Sequence, residues 1–372
     1  MKLELVATCL FGLEHLLGEE INALGYERIS TIDGRVIFEG DEIAIVRCNL
    51  WLRTAEHVFV LLGQFRATSF EELFEGTSAL NWPDFIGKDD AFPVKGHAIK
   101  SKLHSIPDCQ SIVKKAVVRS MTERYGITQF SEVGTKYQIE FFILNDIATL
   151  MIDTSGVALH KRGYRKDALG APIRETLAAA IVATARPREN VLLWDPMCGS
   201  GTIAIEAAMM MKNIAPGRSR KFAAEDFAFI PKKIWTNARE EAFDTEHVTD
   251  FEAFASDIDP SAVALAEKNV RLAGVSDCVK VFRQDARKIS AEGRRGTIVT
   301  NPPYGERLGT IKEAEQLYKD IGVHFRSLSP WQVYVITSHP QFERFYGKRA
   351  DKVRKLYNGK LPCYLYQFFK NN

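Results

Sequence analysis

In the stretch Gly296-Thr-Ile-Val-Thr-Asn-Pro-Pro-Tyr-Gly-Glu-Arg307, a short β-branched run is followed by a polar segment with two successive prolines. The run Thr297–Thr300 predicts a buried strand. Asn301-Pro-Pro-Tyr304 follows at its carboxyl end, which is the end at which open α/β sheets bind ligands. Two successive prolines fix φ and remove two N–H donors, so the chain leaves rigidly with its carbonyls and the Asn301 side chain facing outward. Taken alone, the pattern fits a Pro-stiffened turn as well as a site that presents hydrogen-bond acceptors.

Acidic residues follow the predicted strands upstream of this one. The strands Val191–Trp194, Phe251–Ser256 and Val279–Phe282 lead into Asp195, Asp257 and Asp285. Because the carboxyl ends of parallel strands share one edge of a sheet, we expect these acids and Asn301 to form one site. Asp257 occupies the position at which doubly wound folds bind ribose hydroxyls, whereas Asp259 is better explained as a helix N-cap.

The turn Asp195-Pro-Met-Cys-Gly-Ser-Gly-Thr202 lies between a predicted strand and a predicted helix. Its two glycines allow the backbone to approach a ligand closely, although they also fit a turn that is merely tightly packed. The third glycine of the dinucleotide fingerprint is missing, and no Gly-Lys-Ser/Thr follows for phosphate. Asp195 would repel a pyrophosphate, so the turn suits a cofactor with a positive charge or an amino group.

The composition narrows the class of protein. A net charge of +2 over 372 residues gives no global argument for a polyanionic partner. The N-terminus lacks a signal-peptide pattern, and no stretch stays apolar long enough to span a membrane, so we expect a cytoplasmic protein without membrane contact. The six cysteines are scattered, with no C-x-x-C pair and no nearby His, which predicts free thiols and no metal site.

The chain divides into two regions with different patterns. The first alternates short strands and helices and predicts α+β units, ending in a basic linker at 153–173 with a boundary near residue 165. Beyond it, strands alternate with long helices, which predicts an α/β doubly wound sheet. Asn358-Gly359 predicts that this sheet ends in an antiparallel hairpin. A basic, aromatic insertion at 213–250, expected beside the ligand edge, fits either polynucleotide contact or plain surface.

A cluster of lysines lies in the first region. The segment Ala91–Lys102 predicts a strand in which Lys100 and Lys102 project from one face. Lys114 and Lys115 follow on the next predicted helix. The four lysines fit either contact with nucleic-acid phosphates or a solvated surface.

The motifs at the strand ends resemble those of class I S-adenosylmethionine (SAM) dependent methyltransferases that act on exocyclic amino groups. Nearly the whole chain resembles the bacterial THUMP-domain RNA methyltransferases, relatives of the 23S rRNA guanine-N2 methyltransferase. Further matching segments are Thr8-Cys9 with Gly12-Leu-Glu14, Lys100-Ser-Lys-Leu103, Gln110 with Lys114-Lys-Ala116, Gly163-Tyr-Arg165, Ala171-Pro-Ile-Arg-Glu-Thr-Leu177 and Ile214-Ala-Pro-Gly217. Larger relatives carry a second methyltransferase domain. Because this sequence stops after its hairpin at residue 372, we expect a single activity here.

The resemblance implies a fold and a division of the chain. It implies a ferredoxin-like α+β unit at 1–60, a THUMP RNA-binding domain at 61–165 and a Rossmann-like class I methyltransferase domain at 166–372. In this division, Lys100, Lys102, Lys114 and Lys115 belong to the domain that binds RNA. The expected partner is RNA, with rRNA favoured over tRNA, and the oligomeric state stays open.

The resemblance also implies roles for the site residues, with SAM as the cofactor. The methionine part of SAM would be lined by Asp195, Gly199 and Gly201, with Pro196 and Thr202 in the same turn; Asp257 would hold the ribose, and Asp285 with Ala286 would meet the adenine. Asn301, beside the cofactor, and the Pro302 carbonyl would accept hydrogen bonds from the target amine, and Tyr304 would stack on a base turned out of its helix. No metal is required because the sulfonium is already a strong electrophile, so the enzyme's task is alignment.

Three functions remain open at this point. The favoured one is methyl transfer to the exocyclic N2 of guanine in RNA. The second is methyl transfer to N6 of adenine in RNA or DNA, because both targets are exocyclic amines on a purine. The third is an RNA-binding assembly factor with a vestigial methyltransferase domain, which the intact acids and the intact Asn301-Pro-Pro-Tyr304 argue against.

Overall fold

The computed structural model describes residues 1–165, 173–305, 310–328 and 330–369. Lys166 and Gly170-Ala-Pro172 of the predicted linker lie outside these ranges, as do Glu306-Arg307 at the end of the stretch that begins at Gly296. In the described ranges no helix is both long enough and apolar enough to cross a membrane. The six cysteines form no disulfide.

The first region is a mixed β-sheet with helices packed on it. Its strands are β1 (Leu3–Cys9), β2 (Arg28–Ile32), β3 (Arg35–Gly40), β4 (Ala55–Arg66), β5 (Val94–Ile99), β6 (Ile139–Leu144) and β7 (Ile147–Asp153). They lie in the order β2-β3-β1-β4-β7-β6-β5, and every neighbouring pair is antiparallel except β5 and β6. Because β4 crosses residue 60, the two N-terminal units share one continuous sheet through this strand.

Local signals explain the helices of this region. They are α1 (Glu14–Ala23), α2 (Glu42–Trp51), α3 (Phe70–Ser78) and α4 (Ile106–Tyr125). The Asp41 side chain caps α2 by accepting a hydrogen bond from the Ala44 N–H at 2.8 Å, and Ser69 caps α3 in the same way. Gly126 ends α4 with φ of 70°, a left-handed conformation that glycine adopts without steric cost.

The second region is the predicted doubly wound sheet. Its strands are β8 (Leu192–Asp195), β9 (Ala253–Asp257), β10 (Val279–Arg283), β11 (Gly296–Thr300), β12 (Gln332–Thr337), β13 (Lys352–Asn358) and β14 (Leu361–Phe368). They lie in the order β10-β9-β8-β11-β12-β14-β13; β8 to β12 are parallel, and β14 is antiparallel to both of its neighbours. The predicted closing hairpin is therefore confirmed.

Helices cover both faces of this sheet. Those on the sheet are α5 (Glu175–Ala185), α6 (Thr202–Met211), α8 (Pro260–Ala273), α9 (Ile311–Ser327) and α10 (Phe342–Tyr346), whereas α7 (Lys232–Asp244) lies in the 213–250 insertion and packs on the core of the first region. Asp259 caps α8 by accepting from the Ser261 N–H at 2.8 Å, as predicted. Thr310 and Glu313 form a capping box that begins α9 at Ile311.

The predicted strand through Lys102 is wrong at its end, because β5 stops at Ile99. Lys100 has φ of 49°, and the chain turns there. The turn is held by Asp146, whose N–H donates to the Ser101 hydroxyl at 3.1 Å and whose carboxylate accepts from the Lys102 N–H at 2.8 Å. Lys100 and Lys102 therefore lie on an exposed turn rather than on one face of a strand.

Lys114 also differs from the expectation of a solvent-facing cation. Its ammonium donates to Glu132 at 2.6 Å and to the Phe92 carbonyl at 3.0 Å, and it lies 3.5 Å from the centre of the Phe92 ring. Partial burial lowers the pKa of Lys114 from its ordinary value. Lys114 thus stabilises its own domain, whereas its neighbour Lys115 is exposed.

The insertion at 213–250 was predicted to lie beside the ligand edge, and this prediction is wrong. It packs against the N-terminal region. It begins where α6 ends, on the side of the sheet away from the carboxyl ends of the parallel strands. The Gly217 N–H donates to the Leu50 carbonyl at 2.9 Å, and the rings of Phe227 and Tyr137 stack with centroids 4.3 Å apart. Phe222, Phe227 and Trp235 are buried there because they join the core of the first region, whereas Phe243 is exposed.

Two linker side chains before residue 166, Arg162 and Tyr164, are buried against the second region. Arg162 lies 3.4 Å from Glu206 of α6, and both are almost fully buried. The Tyr164 hydroxyl donates to the same Glu206 carboxylate at 3.0 Å. Arg165 bonds to Glu175 at the start of α5 at 2.9 Å. Arg162 also donates to the Arg53 carbonyl of the first region, so this buried guanidinium links the two halves of the chain.

We expect Arg162→Met to lower the free energy of unfolding by about 3 to 5 kcal/mol, because it leaves Glu206 as an uncompensated buried charge. Urea denaturation followed by circular dichroism at neutral pH measures this. The matched control is Arg119→Met, which removes an ion pair with Glu75 on the surface and should change stability little. Equal losses in the two variants would contradict the structural role of Arg162.

Candidate functional site

The site is an edge of the second sheet at which polar side chains from neighbouring strands meet. In spatial order, β10 leads into Asp285, β9 ends in Asp257, β8 ends in Asp195 and β11 leads into Asn301. Parallel pairing brings these strand ends to the same edge, as predicted from the sequence. The chain order of the strands changes direction between β8 and β11, and in open α/β sheets ligands bind at such a switch point.

The two glycines of the turn after β8 have different roles. Gly199 has φ of 50°, and a Cβ built on it would meet nothing within 4 Å, so its backbone borders open space. Gly201 has φ of 79°, and a Cβ there would lie 3.2 Å from the Cβ of Ala266 on α8. Gly199 therefore fits a ligand-facing position, whereas Gly201 is required by close packing between helices.

Asp195 is almost fully buried beneath this turn, with 1% of its surface exposed. Its Oδ1 accepts from the Thr300 hydroxyl at 2.8 Å and from the Met197 N–H at 3.3 Å. Burial raises the pKa of Asp195 to about 7, and the negative charge of Asp257 acts in the same direction. A nearby positive charge would favour the ionised form of this carboxyl group. Pro196, which follows it, is buried.

Asp257 ties the glycine turn to β9. One carboxylate oxygen accepts from the Gly199 N–H at 3.0 Å, and the other accepts from the Asp259 N–H at 3.0 Å. A carboxylate has about four acceptor positions, so both oxygens retain capacity for a ligand's hydroxyl groups. The side chain is partly exposed, as a ligand contact requires.

Asp285 caps a short helical turn that begins at Ala286. It accepts from the Arg287 N–H at 2.9 Å, and the Arg287 guanidinium binds the same carboxylate at 2.7 Å. Hydrogen bonding to Arg287 holds the pKa of Asp285 below its ordinary value. Ala286 itself is buried in the core. The side chain predicted to meet the adenine is therefore already engaged by Arg287.

The loop after β11 is organised around Asn301. The Tyr304 hydroxyl donates a hydrogen bond to Asn301 Oδ1. This contact was not expected from the sequence, which predicted that Asn301 would face a substrate and that Tyr304 would stack on one. The side-chain oxygen of Asn301 thus already accepts from one hydroxyl and keeps one further acceptor position.

Two residues that the sequence did not single out hold this loop in place. The Tyr318 hydroxyl donates to the Pro303 carbonyl at 2.8 Å and lies 3.1 Å from the Thr337 hydroxyl at the end of β12. Tyr318 and Thr337 are fully buried. Thr337 could have been found, because it ends a strand at the same edge of the sheet. No sequence signal pairs Tyr318 with Pro303.

Thr202, predicted to line the cofactor, is instead bonded within the protein. Its hydroxyl lies 3.0 Å from the Ser200 hydroxyl and accepts from Arg165 at 3.1 Å. Asn269 of α8 donates to the Ser200 carbonyl at 2.9 Å. Arg165 and Asn269 together fix the start of α6, and so they position the glycine turn that faces the open space.

Comparison with known protein families assigns each part of the chain. Residues 162–367 match the model described as the RMKL-like methyltransferase domain, which covers more than half of the chain. The chain belongs to the RMKL-like methyltransferase family. In this methyltransferase, residues 4–59 match the RlmL ferredoxin-like domain and residues 67–153 match the THUMP domain. These matches confirm the family and the fold that the sequence motifs indicated.

Curated relatives and solved structures agree with this assignment. The methyltransferase is 45% identical over 99% of its chain to YpsC of Bacillus subtilis strain 168, a protein named as an RNA methyltransferase, and covers 96% of it. It is 34% identical to the ribosomal RNA large subunit methyltransferase K/L of Syntrophotalea carbinolica, over 97% of its own chain and 53% of that protein.

The solved structures that match over the whole chain include two methylases. One is an N6-adenine-specific DNA methylase, as named, from Listeria monocytogenes strain 4b F2365, with a TM-score of 0.93, 43% identity and 97% of that chain covered. The other is the methyltransferase SMU.472 in complex with S-adenosylhomocysteine (SAH), with a TM-score of 0.93, 39% identity and 99% of that chain covered.

S-adenosylmethionine is the cofactor of this methyltransferase. The described residues fit it, because Gly199 borders open space and the neighbouring Asp195 and Asp257 are acidic groups suited to a cation that carries hydroxyl groups. The amino-acid part of SAM has no phosphates, which agrees with the absence of phosphate-binding signatures in the turn after β8.

The raised pKa of Asp195 predicts a pH effect on stability. Between about pH 4 and pH 7 the folded protein holds a proton that the unfolded chain has released, so the stability of the parent falls as the pH rises through this window. Asp195→Asn retains the acceptor for Thr300 and removes the charge. The variant should therefore gain stability relative to the parent at pH 8, by about 1.4 kcal/mol for each pKa unit of the shift.

Urea denaturation of the protein without cofactor at pH 5 and pH 8 measures this gain. The control is Asp259→Asn, because hydrogen bonding to Ser261 lowers the pKa of Asp259 and no gain at high pH is expected. A stability difference between Asp195→Asn and the parent that is the same at both pH values would show that burial of Asp195 does not raise its pKa.

Proposed function

We propose that this methyltransferase transfers the methyl group of SAM to the exocyclic N2 of a guanine in 23S rRNA. The RNA class is supported by the THUMP match and by the names of the two curated relatives, one of which is a large-subunit rRNA enzyme. The choice of an exocyclic amine is supported by Asn301-Pro-Pro-Tyr304.

The observation that carries the proposal is the order of strands at the site. Asp285, Asp257 and Asp195 follow one another along β10, β9 and β8, and the Asn301 loop comes next on β11. In this proposal Asp285 would hold the adenine of SAM, Asp257 its ribose and the turn at Gly199 its methionine part, and the Asn301 loop lies next in the strand order. This arrangement supports the proposal that the methyl group to be transferred lies next to the Asn301 loop, which would hold the target amine.

The chemistry requires alignment more than activation. SAM supplies a methyl group on a sulfonium, and the purine amine is a poor nucleophile because its lone pair is delocalised into the ring. In this proposal Asn301 Oδ1 and the Pro302 carbonyl accept the two amine hydrogens and direct the lone pair towards the methyl group. The N–C bond forms as the S–C bond breaks, and the amine then releases a proton to water. These hydrogen bonds strengthen as positive charge develops on nitrogen.

The contact between Tyr304 and Asn301 becomes part of this proposal. Before the target base arrives, the Tyr304 hydroxyl occupies one acceptor position of Asn301. When a base stacks on Tyr304, the ring turns with it and the amine takes the place of the hydroxyl on Asn301. Tyr318 keeps the loop backbone fixed meanwhile through the Pro303 carbonyl.

RNA contact in the first region is assigned to the exposed lysines. Lys100, Lys102 and Lys115 are solvent-exposed and can neutralise phosphates without reading bases. Lys114, which is bound to Glu132, supports the helix on which Lys115 lies. We therefore propose three of the four predicted lysines as direct phosphate contacts.

Adenine-N6 methylation is the second candidate. It is favoured by the Asn301-Pro-Pro-Tyr304 motif, which serves any exocyclic purine amine, and by the name of the Listeria monocytogenes protein. Nucleoside mass spectrometry distinguishes the candidates when rRNA from a strain lacking the gene is treated with the protein and SAM. N2-methylguanosine supports the proposal, N6-methyladenosine supports the second candidate, and no methylated nucleoside supports an assembly factor without catalysis.

We expect Asn301→Ala to lower the single-turnover methylation rate by roughly 10²- to 10³-fold, the usual loss for one acceptor that acts in the transition state. The affinities for SAM and RNA should change little. The control is Tyr304→Phe, which keeps the aromatic ring and leaves Asn301 in place, so its rate should stay far closer to that of the parent. An Asn301→Ala rate close to the parent rate would show that the loop is only a stiff turn.

A further inference from the structure

A second cleft lies at the opposite edge of the methyltransferase sheet, far from the acids. It has a volume of about 660 Å³ and is bordered by the start of β11 and β12, by the end of α5 and by His15 and Leu16 of α1. The cleft therefore lies between the ferredoxin-like unit and the amino edge of the methyltransferase domain. None of the residues assigned to SAM or to the target base lines it.

The charged side chains that line this cleft are mostly positive. Five cationic side chains line it, and the one acidic residue of the lining, Glu19, already lies 3.5 Å from Arg28. The five are Arg186, Arg188, Arg295, Lys352 and Arg354. None of them forms an ion pair within the part of the chain that the structure describes. Like charges that line a cleft repel one another and create a strong positive potential, which an anion would relieve.

The lining also contains an unused hydrogen-bond donor. Gln367 at the end of β14 is only 3% exposed, and its Nε2 is buried without a partner among the described residues. A buried donor that lacks an acceptor is unfavourable, and it indicates a missing partner that accepts hydrogen bonds. Phosphate oxygens are such acceptors. Tyr334 and Phe369, whose rings lie 6.3 Å apart, add an aromatic wall.

We infer that this cleft binds backbone phosphates of the RNA substrate. Four of its five cations are arginines, whose planar forks bind phosphate oxygens in pairs. β11 begins at Gly296 in the cleft and ends next to Asn301, and five strand residues span roughly 17 Å. One folded RNA can therefore reach both edges of the sheet. The inference rests on RNA as the substrate but not on which base is methylated.

The test uses the full-length variant Arg186→Gln/Arg188→Gln/Arg354→Gln. Its affinity for a fluorescein-labelled stem-loop transcript of large-subunit rRNA is measured by fluorescence anisotropy. The salt concentration is varied between roughly 50 and 300 mM, a range over which the release of counterions from RNA changes the affinity measurably. We expect the affinity to fall at least about tenfold. The slope of log K against log salt should become shallower by roughly two units, because each lost phosphate contact reduces the steepness of that slope by about 0.7 to 0.9. SAM affinity should stay unchanged, because the cleft lies at the other edge.

The matched control is Lys232→Gln/Lys233→Gln/Arg271→Gln, which removes the same charge from exposed positions outside the cleft. If the cleft variant is poorly folded, Arg186→Lys/Arg188→Lys/Arg354→Lys keeps the charge and should keep the salt slope while losing affinity. A cleft variant whose RNA affinity and slope match those of the control overturns the inference.

Two further outcomes separate this inference from others. If GTP raises the melting temperature of the parent but not of the cleft variant, and RNA affinity is unchanged, the cleft binds a small nucleotide and the RNA inference is wrong. If the cleft variant loses RNA affinity while the parent methylates a base other than guanine, the inference stands and the proposed target fails.

Discussion

The buried hydrogen bond from Thr300 to Asp195, 2.8 Å long, joins the strand that carries the cofactor acid to the strand that carries the acceptor loop. Parallel pairing of β8 and β11 sets its geometry, and the other residues of the site depend on that register. Asp257 then fixes the glycine turn, and Tyr318 fixes the loop of Asn301. A shift of one residue between β8 and β11 would turn these side chains to the opposite face of the sheet.

The same region is also tied to the RNA-binding half of the chain. Arg165 bonds to Thr202 at the start of α6, and Arg162 bonds to Glu206 one turn later. Displacement of the N-terminal region would therefore disturb the helix whose first residues hold the glycine turn. This coupling gives a physical reason for the buried charges of the linker, which are costly unless both halves are docked.

Several features could be predicted from the sequence because they depend on local or periodic signals. The strands that lead to Asp195, Asp257 and Asp285 follow from patterns within a few residues, as do the cap at Asp259 and the Asn358-Gly359 hairpin. Other features could not be predicted, because distant residues decide them. Lys100 turns because Asp146 bonds to its neighbours, and the Lys114 ammonium is held by Glu132.

The sequence by itself determined the chemistry available to this methyltransferase, because the identity of the side chains at strand ends fixes which acids and which acceptor amide can meet a ligand. Only the tertiary structure decided their arrangement. The spatial order β10-β9-β8-β11 differs from the chain order, since pairing between strands depends on long-range packing. The cationic cleft has the same origin, because Arg186, Arg295 and Arg354 are far apart in the chain and meet only when the sheet and α1 are assembled.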